Sequence, residues 1–181
     1  MRIDPAWLDE VEDESGIQLS SCYQCRKCTN GCPLTFAMDI YPDQVIRLVQ
    51  MGQQERVLTC STIWVCSSCE TCTTRCPNGV DVAGVMDYLK ETSIKMGFDI
   101  PQPNTYIFHR VFMDEIRKRG RVFEAGLMKS YMVASGELKR KLEDKSILED
   151  LALGWIMFKK GRMPLFPKGI KGKRDIREIL K

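Results

Sequence analysis

Apolar residues recur along this chain at steps of three and four, the period of an amphipathic helix, and no alternating run is long enough to support a sheet. Asp4 and Pro5 read as a cap and first-turn proline ahead of Trp7, Leu8 and Val11, with Gly16 as the stop. A second helix is expected from Pro42, with Val45, Leu48 and Val49 on one side and Gly52 at its end. A third follows Asp81, repeats Val82, Val85, Met86 and Leu89, and stops at Gly97. Two prolines mark 99–104 as a linker. Beyond it, Ile107, Phe108, Val111, Phe112 and Ile116 form one stripe, and Phe123, Leu127 and Tyr131 another. The last stretch turns irregular and is expected to become helical from Asp175.

Between these helices the pattern breaks at two twelve-residue segments, "CYQCRKCTNGCP" at 22–33 and "CSSCETCTTRCP" at 66–77. Both place cysteines at spacings of three, three and four, and both close with proline. Only the front of the chain repeats, which suggests two similar halves about a pseudo-twofold axis. The expected division is an acidic N-terminal helix over 1–16, a cysteine-bearing domain over 17–98, a cysteine-free helical extension over 99–158 and a basic tail over 159–181.

With 181 residues the chain can bury one real core or two small ones. A net charge of +3 says little, but its distribution says more. The first 21 residues carry six acids against Arg2 alone, while 159–181 hold nine Lys or Arg against Asp175 and Glu178. The acidic start lacks the basic and apolar order of a secretory signal. The most apolar run, 151–158, is far below the ~20 residues of a membrane span. A cytoplasmic location without direct membrane insertion is therefore expected. There, nine clustered cysteines point to metal before disulfides.

The spacing selects the metal. Zinc favours two short Cys-x-x-Cys pairs separated by a longer loop, which fits three cysteines in quick succession poorly. A cubane [4Fe-4S] cluster offers four iron corners, of which a tight three-cysteine loop reaches three. In the two-cluster pattern Cys-x2-Cys-x2-Cys-x3-Cys-Pro the last cysteine of each motif serves the other motif's cluster. That assigns Cys22, Cys25, Cys28 and Cys76 to cluster 1, and Cys66, Cys69, Cys72 and Cys32 to cluster 2. Pro33 and Pro77 then turn the chain away. Arg26, Lys27 and Arg75 lie inside the motifs, where positive charge would raise a cluster's potential; solvated surface charges are the alternative reading. Cys60 is a ninth thiol with no vacant iron corner and is expected to be buried. His109, the single histidine, is assigned to packing or surface. No dinucleotide or phosphate-loop glycine pattern, no nucleophile and base pairing, and no nucleic-acid motif accompanies these residues. Two [4Fe-4S] clusters without substrate chemistry make a conductor of single electrons that works inside a larger assembly, with no catalytic residue of its own. The basic tail, with Leu165 and Phe166 among its cations, is the expected docking segment for a partner, ahead of a solvated face or an anion site.

The stretch at 60–97, the earlier motif at 22–33 and the tail's "RMPLFPKGIKG" resemble the C subunits of the soluble CoB-CoM heterodisulfide reductases of methanogenic archaea. The resemblance implies an all-α, alpha-helical ferredoxin-like two-cluster fold with a C-terminal helical extension. It implies electrons leaving the FAD-bearing, iron-sulfur, bifurcating A subunit of the heterodisulfide reductase and crossing the two clusters to the catalytic B subunit. The latter reduces the CoM-S-S-CoB heterodisulfide, and a hydrogenase or formate dehydrogenase is associated. Two other readings stay open. The iron-sulfur subunit of a quinone-linked membrane dehydrogenase is one, although only 21 residues precede Cys22 and a plant-type [2Fe-2S] domain is not among them. A zinc-bound interaction or nucleic-acid module is the other.

Overall fold

The computed structural model describes residues 3–162, 170 and 172–180, and among these it is helical throughout, with no strand. It divides into two compact units, Met1–Pro103 and Asn104–Lys181.

Unit 1 holds seven α-helices and a short 3-10 helix (Thr35–Ala37) among its described residues: α1 (Trp7–Ser15), α2 (Lys27–Gly31), α3 (Pro42–Gln50), α4 (Gln54–Leu58), α5 (Thr62–Val65), α6 (Thr71–Arg75) and α7 (Val82–Lys95). The three longest are those legible in the sequence. α1 starts two residues later than the proline suggested, because Asp4 and Pro5 form a turn in which the Ala6 N–H donates to Asp4 Oδ1 at 3.1 Å. It ends at Gly16, whose left-handed φ of 70° accepts the stop without a Cβ penalty. α3 begins with Pro42 at its first position, and the Tyr41 N–H donates to Gln44 Oε1 at 2.9 Å. α7 is capped by Asp81, which accepts from the Gly84 N–H at 2.9 Å.

These helices bury one face each around a common core. Trp7 and Val11 of α1, Val45 and Val49 of α3, Val57 and Leu58 of α4, Ile63 of α5, and Val85 and Leu89 of α7 are fully buried. Emptying the Trp7 site by substitution to Ala would cost about 3–5 kcal/mol. Gly52 ties the start of the chain to this core. Its carbonyl accepts from the Asp4 N–H at 2.9 Å, and a Cβ built there would lie 2.1 Å from the Asp4 carbonyl oxygen, so only glycine fits.

Unit 2 holds α8 (Pro103–Arg119, starting at the boundary), α9 (Glu124–Ala134), α10 (Glu137–Glu143), α11 (Ile147–Lys159) and α12 (Lys173–Ile179). Its core is slight. Leu127, Glu115 and Gly120 are its buried residues among those described, and Arg119 Nε meets the Glu115 carboxylate at 2.7 Å. Phe108 meets Tyr131 edge-on at 5.9 Å, and His109 lies on the exposed side of α8 with its ring edge toward Phe108. α11 is rich in apolar side chains yet has no buried residue. The segment carrying Leu165 and Phe166 lies outside the described residues.

Candidate metal centres

The backbone of the two cysteine motifs follows one path twice. In the first, Gln24 and Arg26 take left-handed conformations, with φ of 62° at both. In the second, Ser68 and Glu70 do the same at 50° and 60°. These are matching positions, two and four residues after the first cysteine. A left-handed non-glycine residue costs roughly 1–2 kcal/mol, so four such residues at corresponding places are a feature under demand. Left-handed residues set among right-handed ones are the general setting of nests, in which successive backbone N–H groups cradle anions and iron-sulfur groups.

From that turn each motif enters a one-turn helix. Arg26 caps α2 and Glu70 caps α6, both left-handed. The helices end at the fourth cysteines with near-identical extended geometry, φ −77° and ψ 123° at Cys32, φ −73° and ψ 118° at Cys76. α2 packs on α6. Gly31 makes this close approach possible, because a Cβ there would stand 2.6 Å from Arg75 Nη1 and 2.7 Å from its Cδ. The corresponding motif positions are thus glycine on one side and the arginine that fills its space on the other.

The α2–α6 packing carries each fourth cysteine across to the opposite motif. One hollow, of about 330 Å³ including its open mouth, is lined by Cys22, Cys25, Cys28 and Cys76, with Gln24, Arg26, Lys27, Asp43, Ile46, Val80 and Val82. The other, of about 400 Å³, is lined by Cys32, Cys66, Cys69 and Cys72, with Leu34, Met38, Pro42, Val82 and Met86 among its apolar walls. Each therefore gathers three thiols of one motif and the last thiol of the other. No three His, Cys, Asp or Glu side chains among the described residues converge as they would around a single ion. Cubane thiolates each take a different iron corner, so they need not converge on one point.

Matching threonines anchor both motifs to the helices that follow. The Thr29 hydroxyl bonds the Asp43 carboxylate and accepts from the Asp43 N–H at 3.1 Å. The Thr73 hydroxyl donates to Asp81 Oδ1 at 2.8 Å and accepts from the Ala83 N–H at 3.3 Å. Donors also reach the sulfurs. The Val80 N–H donates to Cys76 Sγ at 3.3 Å, and Gln24 Nε2 to Cys22 Sγ at 3.5 Å. Arg26 makes a 3.6 Å ion pair with Asp43 but is itself 74% exposed, so solvent screens it. Arg75 is also exposed.

Burial pushes the Cys28 thiol up to about 11, and it raises Cys66 and Cys72 as well. Exposed Cys69 goes the other way, lowered by its hydrogen bonds with Thr71. Thiols held protonated by burial must release protons to become ligands, the usual coupling of metal loading to proton loss. Cys60 is apart from both hollows. It is 5% exposed, and burial pushes its thiol up to about 11, as an inert core thiol requires.

Two contributions were not legible in the sequence. Asp39 gathers the turn before the second motif: its carboxylate accepts from the N–H groups of Ser61 at 2.8 Å and Thr62 at 3.0 Å, and from the Thr62 hydroxyl at 2.7 Å. Lys90 and Gln50 reach back from α7 and α3 to backbone carbonyls inside the motifs. All of these contacts span more than twenty residues, and no spacing rule announces them.

An all-α fold with two symmetric cysteine-lined hollows defines a class, the dicluster ferredoxin type. Residues 18–80 match the family model described as the 4Fe-4S dicluster domain. The wider chain is similar to the C subunit of the H2:CoB-CoM heterodisulfide,ferredoxin reductase of Methanothermobacter marburgensis, 29% identical over 99 residues that cover 55% of this chain and 54% of the relative. It is 28% identical to the C subunit of the ferredoxin:CoB-CoM heterodisulfide reductase of Methanosarcina mazei over 148 residues, 75% of this chain and 91% of that one. The C2 subunit of the H2/formate:CoB-CoM heterodisulfide,ferredoxin reductase of Methanococcus maripaludis is 35% identical over 79 residues, 44% and 42%. The resemblance drawn from the motifs therefore holds: the chain is similar to heterodisulfide reductase C subunits, and its residues 18–80 match the 4Fe-4S dicluster domain. In several of these relatives the chain spans about half of the relative's length. No helix among the described residues is long and apolar enough to cross a membrane.

Proposed function

We propose that this chain is the electron-transfer iron-sulfur subunit of a heterodisulfide reductase complex, relaying single electrons between a flavin-containing subunit and a catalytic subunit that reduces the CoM-S-S-CoB heterodisulfide. The observation that carries the reading is the exchange of fourth cysteines between two matching hollows. Cys22, Cys25, Cys28 and Cys76 would hold one [4Fe-4S] cluster, and Cys66, Cys69, Cys72 and Cys32 the other. When bound, each supplies a one-electron redox couple with all four iron corners closed by thiolate.

The chain's own residues do the rest. The left-handed residues Gln24, Arg26, Ser68 and Glu70 give both motifs the kind of backbone that forms anion-binding nests, whose N–H groups would favour the added negative charge of the reduced state. Apolar walls, Ile46 and Val82 in one hollow and Leu34, Met38 and Met86 in the other, shield the inner side of each site. Packing of α2 on α6 brings the two sites next to each other, which serves a relay. Cleaving a disulfide requires two electrons and an open position for sulfur, and the assigned ligands leave no such position. The partners in this reading are the flavin-containing and the catalytic subunits of the reductase, with an associated hydrogenase or formate dehydrogenase, in the cytoplasm.

Anaerobic purification tests this. Two cubanes predict broad visible absorption and about eight iron and eight sulfide per chain. The isolated chain should take up and release electrons from dyes yet leave the heterodisulfide intact until a catalytic subunit is added. Sustained thiol release by the chain alone, or zinc in place of iron, would defeat the proposal.

A further inference from the structure

The two halves of unit 1 differ at one corresponding donor. Gln50 and Lys90 occupy the same register, the ninth residue of α3 and of α7. Gln50 Nε2 donates to the Cys22 carbonyl at 3.2 Å, and Lys90 Nζ donates to the Cys66 carbonyl at 3.1 Å. Each of these carbonyls belongs to the first cysteine of its motif. In the first half the donor is a neutral amide that also reaches the Leu19 carbonyl at 2.8 Å. In the second it is an ammonium that also donates to Asp87 Oδ1 at 2.8 Å.

Burial separates that cation from its counterion. The Lys90 side chain is 9% exposed, whereas Asp87 is 53% exposed. Asp87 in turn accepts from the Ser68 hydroxyl at 2.8 Å and 3.1 Å, and Ser68 is the left-handed residue one place before Cys69. The positive charge therefore sits in low-dielectric surroundings against the ligand loop, while the negative charge faces water. A charge of this kind acts more strongly on its buried neighbours than its screened partner does.

We propose that Lys90 sets the two sites apart in reduction potential, making the site of Cys66, Cys69, Cys72 and Cys32 the better electron acceptor of the pair. This rests on the two-cluster relay proposed above. The chain would accept an electron from a one-electron donor protein at the first motif and pass it to the second. There a partner acceptor takes it and the site returns to its oxidised form. The remaining charges do not reverse this order. Asp43 and Asp81 each bond their motif's threonine, but Asp43 is buried in the lining of the first hollow whereas Asp81 is half-buried and outside the lining of the second, so their difference favours the same order. Arg26, Lys27 and Glu70 favour the opposite order but are exposed, Arg26 at 74%, so water screens them. Lys90 is a positioning residue that acts through the Cys66 backbone and its own field.

Redox titration of the anaerobically purified full chain, followed by electron paramagnetic resonance, tests the idea. Two midpoints are expected, and the higher should vanish in Cys69→Ser. Lys90→Gln should lower that midpoint by about 59 mV, a tenfold change in the one-electron partition, and leave the lower one in place. Lys90→Arg should preserve it. Gln50→Lys should raise the lower midpoint, and the double exchange should invert the order. Unmoved midpoints in Lys90→Gln and Gln50→Lys, at full iron content, overturn the inference and leave the relay standing. Should Lys90→Gln lose its second site, Gln50→Lys decides alone, and no rise in it overturns the inference. A chain without two cubanes overturns the relay and the inference together.

Discussion

Replacing Asp39 should loosen the approach to the second motif without touching a ligand. Its carboxylate accepts from Ile40, Ser61 and Thr62 N–H groups and from the Thr62 hydroxyl, over distances of 2.7–3.0 Å. Two of those amides, of Ser61 and Thr62, stand at the start of α5, which leads into Cys66, so Asp39 works as a helix cap supplied from outside the helix. Burial alone would raise its pKa, but these hydrogen bonds outweigh burial and hold the carboxyl below its ordinary value. Loss of a cap of this kind costs about 0.5–2 kcal/mol. The carboxylate is largely exposed, so water replaces part of what Asp39→Ala removes, and about 1.5 kcal/mol is expected. In a unit of this size that lowers the melting temperature by roughly 6–12 °C. Asp39→Asn keeps a neutral acceptor and should lose about half as much. Because the folded pKa lies below the unfolded one, the contribution is full above the unfolded value and disappears as pH falls through the folded value. Thermal melts followed by circular dichroism, at neutral pH and on stepwise acidification, give both readouts. Melting of Asp39→Ala within about 2 °C of the unmodified protein at neutral pH, or a gap that widens on acidification, would refute the reasoning.

Cys60→Ser should keep full iron and sulfide content, since the thiol is buried away from both hollows, and should lower stability by about 1 kcal/mol for the polar atom placed in the core; iron loss in a folded variant would show that it is a ligand. Ser68→Gly should load iron normally, whereas Ser68→Val, which puts a β-branched side chain at a φ of 50°, should impair loading of the second-motif site; equal loading of both would mean that the left-handed turn is not required. Gly31→Val should weaken α2–α6 packing and lower iron content at both sites, because its side chain enters the space of Arg75; normal iron content would show that the packing tolerates the change.

The sequence announced those elements whose boundaries carry their own chemistry. Pro42 and Gly52 bracket α3, and Asp81 and Gly97 bracket α7, so both could be drawn before any coordinates. The cysteine spacing likewise led to the four cysteines that line each hollow. α2, α4, α5 and α6 are four or five residues long and escape periodicity, because one turn holds too few positions to show a face. Asp39, Gln50 and Lys90 were missed for another reason: each acts on backbone atoms far along the chain, where only the fold sets the distance. In unit 2, α11 holds the most apolar run of the sequence, yet Leu148, Leu151 and Trp155 are 60% exposed or more. Periodicity reports a helix's composition and not whether a neighbour covers it.

Iron counting in double cysteine variants tests the exchange of fourth ligands most directly. If Cys32 closes the site of the second motif, then Cys32→Ala with Cys69→Ala removes two ligands from one cluster and leaves the other whole, at about four iron per chain. Combining Cys32→Ala with Cys25→Ala instead damages both clusters and drops iron below that. Cys76→Ala should mirror this, sparing one cluster when paired with Cys25→Ala and none when paired with Cys69→Ala. The opposite pattern, with Cys32 sharing its fate with Cys25 and Cys76 with Cys69, would mean that each motif closes its own cluster and would contradict the account.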